Sequence, residues 1–461
     1  MKIPLYLLDI FYNIVENEGY PYIVGGAVRD YLLGVPVRDF DIEVHGISAD
    51  LLISILEQYG PVNKVGKSFG VIILQPKKER ATEFSLPRRE NKEGRGHKGF
   101  IVELDPTMTP EEAAARRDFT INSMYLDPFT GEIHDPFHGQ IDLEYGVLKK
   151  TSDAYREDPL RVLRGFQFAA RFNLVATIHT LLDSIEMRDE YDTLSKERIW
   201  GEWWKWATKG KILSSGLQWL VDTGWIIKYP EIRDLIGLLQ DPEWHPEGDA
   251  FTHTRLAVDT IAQKAREKNW SKKATAIAVF AALCHDFGKV DTTERSERSG
   301  RIISPGHAEK SKKLAKKFLD RVGAPKWLIE KVLPLVREHM FYIHAPTKRS
   351  VRRLANRLAP ATINELLRVF YADIKGRKRK GMVPTQTTLN LIAISAYAVE
   401  LEIEDAAPKA LLMGRHLLKI GIGPGPAMGR ILKDAFEAQL DGAFDNLEGA
   451  LYWAQERRED V

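Results

Sequence analysis

The chain has 461 residues, of which 44% are hydrophobic and 28% charged, with a formal net charge of +2. That length suits two to four domains with a sizeable core, and the composition is ordinary for a globular protein. With no run of about 18 apolar residues a membrane span is not expected, and the single cysteine, Cys284, excludes an internal disulfide. One cysteine fits a reducing compartment, and Met1-Lys2-Ile3-Pro4 opens without a signal-peptide apolar stretch. A cytoplasmic location with no membrane partner is therefore the expectation. Net charge alone does not suggest nucleic acid, but basic clusters at 77–80, 88–98, 310–317, 348–357 and 375–380 can neutralise a phosphate backbone. Each cluster reads equally well as a solvated helix face.

Residues 1–150 mix short β-rich runs (71–74, 82–86, 100–103) with glycine and proline turns, which predicts a sheet packed by a few helices. Ile23-Val24 is a short apolar strand ending in Gly25-Gly26, where backbone can approach a phosphate without Cβ interference. Arg29 adds a planar cation nearby. In the extended segment Asp39-Phe40-Asp41 the carboxylates share one face and Phe40 turns to the core. Two such carboxylates are hard oxygen ligands suited to Mg²⁺ and to in-line attack of a hydroxyl on an α-phosphate. Taken singly, Asp-x-Asp is a weak signal; its place after the Gly-Gly/Arg segment strengthens it. The charged, glycine-containing stretch 88–99 reads as a mobile loop.

Next come Arg116-Arg117-Asp118-Phe119-Thr120-Ile121-Asn122 and Glu157-Asp158-Pro159-Leu160-Arg161-Val162-Leu163-Arg164. After about residue 150 helical periodicity dominates. Asp158-Pro159 reads as a cap before a helix, and Asp158, Arg161 and Arg164 at three-residue spacing bring neighbours onto one face. An acid beside an arginine can read a base edge. Asp158 accepts from the amino group of cytosine or adenine while Arg161 donates to the adjacent ring nitrogen; uracil and guanine mismatch both, at about 1–3 kcal/mol per unpaired buried group. Trp200, Trp203, Trp204 and Trp206 read as helix core rather than a stacking surface. The stretch 241–249 marks a boundary, 381–388 reads as a polar linker, and Gly423-Pro424-Gly425-Pro426 sits in a small helical module.

Cys284-His285-Asp286-Phe287-Gly288-Lys289 follows an apolar helix over 274–283. With His253 before it and His307, His339 and Asp373 after, it forms an H…HD…H…H…D series. Imidazoles and carboxylates in that order suit a divalent metal that activates water for phosphoester cleavage, and the mixed N/O set tolerates Mg, Mn, Ni or Co. His245 and His344 are given no metal role.

Taken together, Gly25 to Asp41, Arg116 to Asn122, Asp135-Pro136-Phe137, Glu157 to Arg164 and Ser195-Lys196-Glu197-Arg198 make the chain resemble the class II tRNA nucleotidyltransferases, in particular the bacterial CCA-adding enzymes with an HD phosphohydrolase domain, of the poly(A) polymerase superfamily. The resemblance covers nearly the whole length. It implies an α+β architecture: a nucleotidyltransferase head with a mixed sheet (1–150), an all-α neck and body (151–245), an HD domain (246–380) and a small helical tail (381–461) that is a candidate for tRNA contact. It implies Mg²⁺ at Asp39 and Asp41, with Glu83 as the acidic residue on a neighbouring strand. It further implies contacts to CTP or ATP from Gly26, Arg29, Arg117, Asp158, Arg161 and Arg164, tRNA as partner, and an HD domain acting on phosphomonoesters or 2′,3′-cyclic phosphates. Gln167 stands where the family has another arginine; it can donate a hydrogen bond but cannot neutralise a phosphate. The stretch 88–99 is the candidate lever for the switch from C to A. Competing readings are a poly(A) polymerase or partial CC- or A-adding enzyme, and an HD phosphohydrolase with an RNA-binding head. Oligomeric state is not legible.

Overall fold

The computed structural model describes residues 1–65, 70–77, 79–92, 100–377 and 385–457. It divides into two compact units, Met1–Trp206 with Ser215–Lys228, and Ala207–Ser214 with Tyr229–Val461.

The first unit opens on a seven-stranded sheet. Its strands in chain order are β1 (Tyr20–Val24), β2 (Asp41–His45), β3 (Val62–Val65), β4 (Val71–Leu74) and β5 (Thr82–Ser85). After a separate hairpin of β6 (Arg88–Lys92) and β7 (Phe100–Leu104) come β8 (Tyr125–Leu126) and β9 (Ile133–His134). The spatial order is β3-β4-β5-β2-β1-β8-β9. Among the described residues every neighbouring pair in this sheet is antiparallel except β2 and β5, which run parallel with Asp41 opposite Glu83. Helices Leu5–Glu16 and Ala49–Glu57 bury Leu7, Ile10, Phe11, Ile14, Leu52, Ile55 and Leu56 in one core with Ile23, Ile42, Val44 and Phe84. Each such side chain contributes about 1.5–3 kcal/mol on burial, so the sheet is a rigid base.

The rest of this unit is helical and aromatic. Helix Leu160–Phe172 buries Val162, Leu163, Phe166, Ala169 and Ala170. Trp203 and Trp206 pack on Phe166 at 4.7 and 5.5 Å between ring centroids, as expected for core rather than a stacking surface. A Cβ at Gly165 would lie 2.2 Å from Trp219, so glycine is what lets that indole reach the helix backbone.

In the second unit, helices Ala250–Glu267, Lys272–Cys284, His307–Arg321, Lys326–Glu338 and Ile363–Gly376 form a bundle. Asp249, Ser271 and Thr362 cap three of them, each side chain accepting a backbone N–H. Helices Pro426–Asp441 and Leu447–Glu456 close a small separate core around Leu417, Ile431 and Ala450.

Two expectations change. The stretch 88–99 is not loop throughout: 88–92 form β6, a polar strand anchored where Arg89 Nε donates to Asp105 at 2.7 Å, while 93–99 lie outside the described residues. Charge and glycine hid a hairpin whose partner strand is the apolar run from Phe100. Likewise 385–388 open helix Thr385–Glu400 rather than a linker, and 381–384 lie outside the described residues. Among the described residues no helix is long and apolar enough to cross a membrane.

Candidate functional site

The head brings its carboxylates together through backbone register. β1 ends at Val24, opposite Asp41, and Gly25 follows at φ +65°, a left-handed conformation that favours glycine. A Cβ at Gly25 would lie 3.0 Å from Arg117 Nη1 and 3.8 Å from Asp41 Oδ2; one at Gly26 would lie 3.3 Å from Arg29 Nη2. Both glycines thus border charged groups. Phe40 is buried, with Asp39 and Asp41 exposed on either side of it, as the alternation requires. Glu83 is exposed on the adjacent parallel strand at Asp41's register. Desolvation by the surrounding protein, and then the Glu83 carboxylate, raise the Asp41 pKa; Arg117 acts against them. This acidic, oxygen-only donor set fits a hard divalent cation.

Cations stand near these carboxylates, Arg117 and Arg164 acting on the Asp41 charge. Arg29 is buried, donating to Asp30 at 2.9 and 2.7 Å and to Asn122 at 2.5 Å. Arg117 donates to Glu43 at 3.0 Å; burial opposes Glu43's charge, but Arg117 and His45 outweigh it and hold the Glu43 pKa at about 2. Arg164 donates to the buried Asp118 at 2.5 Å. Gln167 is buried at 1% exposure, its Oε1 accepting from Arg171 at 3.4 Å.

Arg171 was not singled out by sequence reasoning, and the structure gives it a distinctive place. The guanidiniums of Arg29, Arg164 and Arg171 lie 5.3, 5.3 and 5.9 Å from the one ring of Phe168. Burial, then Arg29, lower the Arg171 pKa to about 10. Its signal in the sequence was its spacing, four residues past Gln167 and seven past Arg164 on the same helix face.

Asp158 caps its helix as expected, Oδ1 accepting from Leu160 N at 3.0 Å, while Oδ2 accepts from Arg198 at 2.6 Å. Arg161 donates to the backbone carbonyls of Ala154 and Arg116 at 2.5 and 2.7 Å. The two side chains are each engaged by protein in this conformation instead of presenting together.

The second unit gathers all six residues of the histidine–aspartate series. Their donor atoms form two groups, His253 with His285 and Asp373, and Asp286 with His307 and His339, every residue buried. Asp286 joins them. Its Oδ2 lies 3.2 Å from His285 Nε2 and 3.8 Å from His253 Nε2, and its Oδ1 lies 3.4 and 3.9 Å from the Nε2 atoms of His307 and His339. His285, His307 and His339 place Nδ1 at 2.7, 2.8 and 2.7 Å from the carbonyls of Ala282, Ser304 and Val336. A carbonyl only accepts, so each Nδ1 carries the proton and each Nε2 lone pair faces inward. His253 directs Nδ1 to Glu247 with the same result. Four imidazole lone pairs and two carboxylates with no proton to share fit a divalent cation. Burial opposes the charge of Asp286, but His285 and Lys289 hold its pKa well below the usual range. A cavity of about 500 Å³ opens beside the group, with His245, Lys289, His307 and Arg377 in its wall next to the apolar Trp244 and Ile302.

Close approach builds this centre. A Cβ on Gly288 would lie 2.2 Å from His307 O, and one on Gly376 would lie 3.0 Å from Ala257 N. The absent side chains let the ligand-bearing segments meet.

Comparison with known proteins matches both domains. The poly A polymerase head domain model matches residues 21–149 and the HD domain model residues 250–375. The multifunctional CCA protein of Vibrio parahaemolyticus is 35% identical over 369 residues, covering 78% of this chain and 83% of that protein. That of Nitrosospira multiformis is 36% identical, covering 77% and 83%. Among solved structures, the Bacillus stearothermophilus CCA-adding enzyme in complex with CTP shares the fold at a TM-score of 0.66 and 18% identity, covering 100% of this chain and 99% of that one. The Thermotoga maritima CCA-adding enzyme complexed with tRNA does so at 0.59 and 18%, covering 98% and 96%. With its head sheet, its HD centre and relatives of this identity along most of its length, the chain belongs to the multifunctional CCA proteins, CCA-adding nucleotidyltransferases that carry an HD domain.

Proposed function

We propose that this enzyme adds C, C and A in turn to the 3′ end of tRNA from CTP and ATP, and that its HD domain hydrolyses phosphomonoesters or 2′,3′-cyclic phosphates. The observation that carries the first part is the pairing of Asp39, Asp41 and Glu83 with three guanidiniums around Phe168. The carboxylates are the Mg²⁺ ligands of this reading, and the residues of the HD series hold a second divalent ion, Mg, Mn, Ni or Co. Such ions supply Lewis-acid stabilisation of charge developing at the reacting phosphorus, and activation of water in the HD domain.

The chain's own groups do the rest. Arg29, Arg164 and Arg171 repel one another until an anion lies among them, which is what a triphosphate supplies. Gly25 leaves room beside Arg117 and Asp41, and Gly26 beside Arg29, for the reacting end. Asp158 and Arg161 select C and A once Arg198 and the carbonyls of Ala154 and Arg116 release them, which makes the exchange of partners the specificity step. In the HD domain Lys289 and Arg377 orient a phosphoryl group, and Trp244 and Ile302 offer an apolar wall to a base. The tail and body are the tRNA-binding surface of this reading, held by backbone charge and shape.

The test uses one tRNA transcript ending at the discriminator base, at C and at CC, incubated with Mg²⁺ and labelled CTP or ATP, with products sized on a gel. Three additions in the order C, C, A support the proposal. A long A ladder makes the enzyme a poly(A) polymerase, and two C or one A only makes it a partial enzyme. Arg171→Gln is expected to raise KM for CTP and ATP alike by about tenfold, or about 1.4 kcal/mol, with little change in kcat, because it removes a contact to the shared triphosphate. Steady-state kinetics with each nucleotide check this, and an effect on one nucleotide only would contradict it.

A further inference from the structure

The four imidazoles of the HD centre are anchored in two ways. Three give Nδ1–H to the backbone carbonyl three residues earlier. His253 does not: the carbonyl three residues before it, at Ala250, accepts the Thr254 hydroxyl at 2.8 Å. The ring turns its Nδ1 instead to Glu247 Oε1 at 2.8 Å, and the same oxygen receives His245 Nδ1 at 2.9 Å. The Glu247 side chain is fully buried at 0% exposure, and its Oε2 has no hydrogen-bond partner among the described residues. Burying a carboxylate with half its acceptor capacity idle is costly. An apolar fold has no use for it. A ligand histidine does, because a carboxylate on the far nitrogen fixes the tautomer and makes the near nitrogen a stronger donor. His253 Nε2 lies 3.2 Å from Asp373 Oδ1 and 3.2 Å from His285 Nε2, so the aimed lone pair points into the centre. His245, the second partner of Glu247, stands in the wall of the adjoining cavity.

We infer that Glu247 is a positioning residue of the HD metal centre, holding His253 with its proton on Nδ1 and its Nε2 toward the metal, and tying that ligand through His245 to the cavity wall. The inference rests on the reading of this centre as a divalent-metal site.

Titration of Co²⁺ into the full chain carrying Asp39→Asn and Asp41→Asn, which leaves the HD centre as the tight site, tests it by calorimetry and visible absorption. Glu247→Gln is expected to raise the Co²⁺ dissociation constant on the order of 10–100-fold. With Zn²⁺ bound, long-range ¹H–¹⁵N correlation spectra are expected to show His253 as the Nδ1–H tautomer with that proton in a strong hydrogen bond, and to show the signal mixed or shifted in Glu247→Gln with the other three histidines unchanged. If that variant does not fold, Glu247→Asp, which keeps the charge but withdraws it, is expected to change the His253 signal in the same way. Nucleotidyl transfer by Glu247→Gln in an otherwise unaltered chain stays at its parent rate. Co²⁺ affinity within twofold of the parent, or an unchanged His253 signal, overturns the inference. A parent that binds no Co²⁺ overturns the metal reading itself, so the two failures are distinct.

Discussion

Asp41→Asn lowers the rate of CMP and AMP addition by on the order of 10³-fold and leaves hydrolysis by the HD domain at its parent rate. The exchange keeps the shape of the side chain and removes the charge at the head of β2, opposite Glu83. Three decades in rate correspond to about 4 kcal/mol, the scale expected when a metal-binding carboxylate loses its charge. The same substitution does not destabilise the head. The Asp41 pKa is raised, so its charge is disfavoured in the folded state, and removing that charge ends its desolvation and its repulsion from Glu83 at neutral pH. Single-turnover extension of a tRNA ending in CC, with thermal melts alongside, measures both. A rate loss below tenfold would sink the assignment, and a lower melting temperature would signal a structural role instead.

Asp286→Asn is the second large effect, and it reports on the other unit. The Asp286 carboxylate reaches into both groups of HD donors, so the amide is expected to cut phosphoester hydrolysis on the order of 10³-fold with nucleotidyl transfer intact. Here stability does fall. Lys289, buried at 8% exposure, lies 2.8 Å from Asp286 Oδ2; it keeps its bond to Gln240 Oε1 at 2.6 Å, but a buried ammonium without its counter-charge costs about 3–5 kcal/mol. The pair of effects is separable. Asp286→Asn with Lys289→Met is expected to restore most of the melting temperature and none of the hydrolysis. Lys289→Met alone is expected to lower hydrolysis by far less than Asp286→Asn; if the double variant hydrolyses as fast as Lys289→Met, Asp286 is a structural counter-ion and not a ligand.

What could be read from the sequence was what depends on local spacing. Gly25-Gly26, the alternation of Asp39, Phe40 and Asp41, the cap at Asp158 and the apolar helix before His285 all follow from period and turn chemistry. The hairpin of β6 and β7 was hidden because Arg88–Lys92 is polar on both faces and takes its order from a partner strand. Arg171 is not legible because it lies one turn beyond Gln167, outside the local motif that ends at Arg164, and only the fold brings it to Arg29. The engagement of Asp158 by Arg198 spans 40 residues and no local pattern encodes it. Nor does any local pattern encode the two histidines on Glu247, where a short Pro-Gly stretch that read as a domain boundary turns out to serve the centre it precedes.

The carbonyl anchors of His285, His307 and His339 bear on how such a centre comes together. A ring tied to the peptide three residues behind it is aimed by its own short stretch of backbone, before any other part of the domain has arrived. Assembly then has to bring three ready-pointed donors to one place; it does not also have to turn them. His253 is the exception, since its direction exists only while Glu247 is home. A centre built from three self-aimed rings and one that depends on tertiary contact can be disarmed at that one ring without being dismantled.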